Sequence, residues 1–135
     1  MSSEAVPLIY YGDEEEYYPG EIRDMILGTL DNSANTAEGT TRRADILDDI
    51  LANNPYEHLS DERKQLIKSL FKGYRTLTGA MRLELQRLGF EIKEDGKHYK
   101  LVYHGDQRYM VTISKTASDS RTGNNTAALM NKLMM

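Results

Sequence analysis

The apolar residues change their period once along the chain, from three-and-four to two, close to Phe90. Ahead of that point the spacing is helical. Ile22, Met25, Ile26 and Leu30 follow Pro19 on one stripe and predict a short helix over about 20–30. The polar stretch DNSANTAEGTT then reads as a loop. Ile46, Leu47, Ile50 and Leu51 predict a second helix over 42–52, ended by Asn53, Asn54 and Pro55. Ser60 has the chemistry of an N-cap, and Asp61 and Glu62 stand where acids favour the positive end of a helix. Leu66, Leu70, Tyr74, Leu77, Met81, Leu85 and Leu88 continue the stripe and predict one long helix over 61–88, bent near Gly73 or Gly79 and closed by Gly89. Its first half outreaches a small sheet, so it packs either on the earlier helices or on a second copy of the chain.

Beyond Phe90 apolar and polar residues alternate. Asp95-Gly96 predicts a two-residue type I′ turn that sets Ile92 opposite Tyr99 and Phe90 opposite Leu101, with Lys93 beside His98 and Glu91 beside Lys100 on the other face. A three-residue loop, Gly105-Asp106-Gln107, keeps the faces consistent in a second hairpin, pairing Tyr103 with Tyr109, Leu101 with Val111 and Tyr99 with Ile113. The opposite face then carries His104 beside Arg108, Lys100 beside Thr112 and His98 beside Ser114. After the polar segment TASDSRTGNNT, residues 127–135 read as a closing helix. The expected fold is α+β: a C-terminal α-β-β-β-α two-layer sandwich over 61–135, an antiparallel meander with its helices on one face, preceded by an acidic, helical N-terminal extension over 1–60.

Charge sharpens this division. The net charge of -4 hides 15 acids against 3 bases in residues 1–62, and 14 bases against 6 acids in residues 63–135. A basic C-terminal half can attract a polyanion, and the arm Asp13, Glu14, Glu15, Glu16 is expected to fold over the basic sheet or compete for it. Solvated surface on both halves is the plainer account of the same numbers. No apolar run reaches the roughly 20 residues of a membrane span, no secretory leader pattern stands at the start, and cysteine is absent, which removes disulfides and thiolate metal sites and fits a cytoplasmic chain.

On the predicted register the open face presents Lys93, His98 and Ser114 in one row, next to Lys100. A histidine among cations can act as a general base on a ribose 2′-hydroxyl or as an acid toward a leaving oxygen, which is metal-free ribonuclease chemistry. A half-exposed strand histidine without a task fits the same spacing. Lys93, Lys97, Lys100, His104, Arg108, Ser114 and Lys115 are candidate phosphate contacts. Ser120 and Arg121 join them if the Ser118–Asn124 segment cradles an anion rather than only capping a helix. His58, His98 and His104 lack ligand spacing, so no metal and no cofactor are expected.

The order QRLGFEIKEDGKHYKLVYHGDQRYMVTISK resembles the HicA family of small toxin ribonucleases, which share the double-stranded-RNA-binding-domain-like fold. Gly89 and Phe90 match the family's helix-to-strand junction. Gly96, Lys97 and His98 match its Gly-Ser-His motif, with lysine in place of serine. The likeness spans about residues 77–135. It implies His98 as the catalytic residue of an endoribonuclease, RNA rather than DNA as the nucleic acid, and an antitoxin protein as partner. From the residues alone, a different class stands beside it: a non-catalytic regulatory protein that dimerises or docks a protein partner through its N-terminal helices.

Overall fold

The computed structural model describes residues 6–36 and 41–135. Among them five helices and one sheet follow in the order α1 (Glu21–Thr36), α2 (Arg42–Asn53), α3 (Leu59–Phe71), α4 (Gly79–Arg87), β1 (Phe90–Asp95), β2 (His98–Tyr103), β3 (Asp106–Ser114) and α5 (Thr122–Met134). The sheet is an antiparallel meander in the order β1-β2-β3. The fold is α+β, as the change of period predicts.

The core joins Ile67 and Phe71 of α3, Leu85 of α4, Met130 and Met134 of α5 and the inward row Phe90, Tyr99, Leu101, Tyr103, Val111 and Ile113. Helices therefore cover one face of the sheet, and Tyr74, Tyr99 and Tyr103 are buried there as the alternation requires. Tyr109 packs partly buried against the same cluster.

The long helix over 61–88 is corrected: it is two helices, α3 and α4. The apolar stripe continues through the break, but local chemistry overrides it. Lys72 turns extended and Gly73 follows at φ +69°, a left-handed conformation that costs glycine nothing. Thr78 then opens α4 by accepting the Met81 N–H on its hydroxyl. Tyr74 and Leu77, which the stripe placed on helical turns, are buried in the connection, and the Tyr74 hydroxyl donates to the Ser114 carbonyl at 2.6 Å.

The start of α3 also differs. Ser60 is not its cap: the helix begins at Leu59, behind His58 in the left-handed region. Asp24 of α1 reaches across and accepts the N–H groups of Glu57 (3.1 Å) and Leu59 (2.8 Å). That explains a carboxylate only 3% exposed on α1. α1 runs six residues past the predicted end, taking Asp31–Thr36 out of the expected loop, whose residues 37–40 lie outside the described ones. α5 starts at Thr122 rather than 127.

The first hairpin turns one residue later than predicted, and the second is tighter by one residue. Asp95 pairs with His98 across Gly96-Lys97, so Ile92 faces Leu101 and Phe90 faces Tyr103. Gly96 alone of the two turn residues has positive φ, the pattern of a type II′ rather than a type I′ turn. The shift keeps every side chain of β1 on its predicted face, because β1 moves by two places relative to β2. In the second hairpin Leu101–Val111 and Tyr99–Ile113 pair as predicted, but Tyr103 pairs with Asp106 through a bulge, and His104-Gly105 form the turn, both at positive φ.

Candidate nucleic-acid interface

The two ends of the sheet have different chemistry because consecutive strands return to them alternately. One end collects the β1–β2 turn, the end of β3 and, through backbone bonds, two loops. The Lys115 N–H donates to the Lys97 carbonyl at 2.8 Å, and the Ala117 N–H donates to the Arg75 carbonyl at 2.9 Å. Lys97, His98, Ser114, Lys115 and Arg75 are thereby gathered at this end. Lys93 and Lys100 stand in the next row as register partners. The first residues of α5 lie here too, because Gly123 packs on the Phe71 carbonyl and 2.7 Å would separate a Cβ at Gly123 from Tyr74 Cβ. Arg121, at the N-cap of α5, makes no side-chain cap bond, but its N–H donates to the Asp119 carboxylate at 2.8 Å and the Thr122 N–H to the Asp119 carbonyl, so an acid already stands at the positive end of this helix.

Acids temper this end. Lys115 Nζ lies 2.9 Å from Glu94 and Lys100 Nζ lies 3.2 Å from Asp95. The Lys115 ammonium, by hydrogen bond and charge, holds the Glu94 carboxyl below its ordinary range. Arg121 reaches Asp119 at 3.5 Å from an exposed position, and Ser120 is exposed beside it. Lys93, Lys97 and Arg75 have no acid within ion-pair distance among the described residues.

His98 is exposed on the open face, but its expected row is corrected: Asp95, not Lys93, stands opposite it, with Ser114 on the other side. Neither neighbour serves it. The Ser114 hydroxyl donates to the Thr116 carbonyl at 2.8 Å, and Asp95 is paired with Lys100. His98 is therefore positioned to meet a ligand but has no orienting partner among the described residues.

His104 and Arg108 stand at the other end, roughly 17 Å away by the rise along β2, and both are engaged. The His104 ring lies over Gly89, where a Cβ would be driven into it, and stacks on Tyr17 at 4.5 Å and 17°. Burial pushes its pKa down. His104 is an exposed turn residue whose ring is held between Tyr17 and Gly89. Arg108 forks onto Glu14 (2.5 and 3.0 Å) and binds Asp106 through Nη2 at 2.6 Å and Nε at 3.0 Å. The Arg108 guanidinium and the Tyr17 hydroxyl, which donates at 2.6 Å, hold the Asp106 carboxyl far below its usual range, and the same bond pushes Tyr17 up to about 12. The acidic arm thus lands on a single basic residue of the sheet, at the end away from the lysines.

Two residues escaped the sequence pattern. Arg75 joins the basic end only through the β3–α5 loop, and no local spacing signals it. Tyr17 is the anchor of the arm, touching Tyr103 and Tyr109 edge-on. Its signal is only a tyrosine pair beside Pro19. Among the described residues no cluster of His, Asp and Glu could hold a metal ion, and no helix is long and apolar enough to cross a membrane. Comparison with protein-family models, curated proteins and solved structures finds no match for this chain. The likeness to the HicA family rests on the residues quoted for it.

Proposed function

We infer that the protein is a cytoplasmic nucleic-acid-binding module that takes RNA in preference to DNA at the basic end of its sheet. The observation that carries this reading is that Lys97 and Arg75 meet on the start of the β3–α5 loop, with Lys93 further along β1, each without an acid partner among the described residues, beside the exposed His98. Phosphates need such an array of donors and cations. The preference for RNA and the antitoxin partner come from the HicA likeness. Cleavage is the further step: His98 would accept the 2′-hydroxyl proton as that oxygen attacks the adjacent phosphorus, and the 5′ oxygen leaves with a proton from solvent.

A gel-shift titration with an RNA hairpin and the matching DNA, at about 50 and 200 mM salt, tests binding. Affinity for RNA should drop steeply with salt, and absent binding at the lower salt defeats the reading. The same RNA, incubated with the chain and with His98→Ala, tests cleavage: products from the first only support it, and products from neither restrict the protein to binding.

A second reading, a protein-docking role for the helical half, is favoured by one observation. Leu8, Tyr10 and Tyr11 are 86%, 72% and 65% exposed, and Ile46 on α2 is also exposed. Such apolar exposure along an arm suits a partner surface or a second copy. Light scattering over a concentration series distinguishes a dimer from a monomer.

A further inference from the structure

The sheet has two free edges, and they are built differently. β1 carries Glu91, Lys93, Glu94 and Asp95, charges of the kind that keep an edge from pairing. β3 is the longest strand and has no charged residue from Tyr109 to Ser114. Which of its backbone groups face outward follows from the ladder. The Lys115 N–H bonds the Lys97 carbonyl, so Ile113 and Val111 bond β2 in turn, and Met110 and Thr112 aim their N–H and C=O groups away from the sheet. The Tyr74 hydroxyl fits this alternation by reaching the outward carbonyl of Ser114.

Toward one end of this edge the Ser114 carbonyl is taken by Tyr74, and toward the other the Arg108 N–H is taken by Asp106. Between them, both groups of Met110 and both groups of Thr112 have no hydrogen-bond partner among the described residues. The open stretch is symmetric about Val111. α5 is the helix packed on β3. One of its flanks is held to α3, where Asn131 Nδ2 donates to the Lys64 carbonyl, and α3 shares the core with Leu85 of α4. The opposite flank carries Leu129 and Leu133, 46% and 44% exposed.

We propose that β3 pairs antiparallel with β3 of a second copy of this chain, about a twofold axis at Val111, joining the two meanders into one continuous sheet. Met110 then stands opposite Thr112 of the other copy, and every open N–H meets an open carbonyl. On the core face Val111 meets Val111 and Tyr109 meets Ile113, apolar against apolar. The antiparallel sense also lays the acidic end of one copy, with Glu14 and Asp106, toward Lys115 of the other. The opposite characters of the two ends thereby attract. A strand from another protein can use the same bonds, but the symmetry of the open groups and of the charge is that of self-pairing. The exposed leucines of α5 follow β3 into the contact. This interface is separate from the apolar arm and α2, and it does not rest on the nucleic-acid reading.

The test is sedimentation equilibrium of the full chain from about 5 to 500 µM, with amide hydrogen exchange read by NMR at both limits. The chain should pass from monomer to dimer with a Kd at or below about 100 µM. The Met110 and Thr112 amides should exchange at least about tenfold more slowly at the upper concentration, while those of Ile92 and Glu94, which face outward on β1, keep their rates. Thr112→Pro deletes an outward N–H that bonds nothing among the described residues, and it should weaken association about tenfold or more. Leu129→Lys, at an exposed position, leaves the strand untouched and should weaken association about tenfold as well. Three outcomes overturn the proposal: a chain that is monomeric throughout, a dimer whose Met110 and Thr112 amides keep their rates, as one formed through the arm would, or unchanged association in Leu129→Lys and in a folded Thr112→Pro.

Discussion

The two ends of this three-stranded sheet are joined by the same strands and have opposite characters. At the arm end every charged group of the turn is already answered from within the molecule: Arg108 by Glu14 and Asp106, Asp106 by Tyr17, and the His104 ring by Tyr17 and Gly89. At the lysine end the pairing is incomplete among the described residues, and three cations and a histidine are exposed without an acid partner. The arm makes the difference. Residues 13–18 supply the groups that close one end, and nothing of the described chain closes the other. A basic residue is thus a poor guide to a binding surface until its partners are counted.

The comparison can be broken most strongly through α5, which spans both ends. Glycine to alanine within a helix ordinarily stabilises by about 1 kcal/mol, but a Cβ at Gly123 is driven into the Phe71 carbonyl oxygen and lies 2.7 Å from Tyr74 Cβ. The clash is with backbone and cannot be relieved by a rotamer. Gly123→Ala should therefore lower stability by about 3 kcal/mol, read as a lower urea midpoint, and loosen the start of α5 at the lysine end. At the arm end, Tyr17→Ala removes the stacked and edge-on contacts with His104, Tyr103 and Tyr109. It should cost about 2 kcal/mol in the same measurement while leaving RNA affinity within about twofold.

Smaller effects separate the ends further. Lys97→Ala and Arg75→Ala should each weaken RNA binding about three- to tenfold and flatten the salt dependence by about one counterion, whereas Arg108→Ala should change affinity little. The pH response belongs to the arm end. Burial lowers the pKa of His104 in the fold, so below about 6.5 the unfolded chain takes up that proton more readily than the folded one. The His104 contribution is complete above that pH and is lost as pH falls through it. The unfolding midpoint should accordingly decline between pH 7.5 and 5.5, and His104→Asn, which tolerates the left-handed turn, should remove that part of the decline.

The faces of the sheet were legible because alternation decides them independently of register. Tyr99, Leu101 and Val111 point inward whether the first hairpin turns at Asp95 or at Gly96. Register was legible along β2 and β3, where Tyr99–Ile113 and Leu101–Val111 pair as expected, but not between β1 and β2, where the faces are the same for either turn and the pairing is Ile92–Leu101 and Phe90–Tyr103. The break between α3 and α4 carried a signal in Gly73 and in Thr78 ahead of Gly79, which the continuing apolar stripe outweighed. His98 was correctly placed outward, but its neighbours follow register, so Lys93 gave way to Asp95. Arg75 and Tyr17 reach the two ends through long-range contacts, which no local spacing encodes.

The carboxylate that receives the leading amides of α3 belongs to another helix, and this bears on where the chain can be cut. A fragment beginning at residue 61 would carry the whole meander yet start inside the first turn of α3, with its leading amides bare and Asp24 left behind. Limited digestion between α1 and α3 should then soften the sheet domain from a distance. A piece that is to keep this contact must hold both Asp24 and the amides of Glu57 and Leu59.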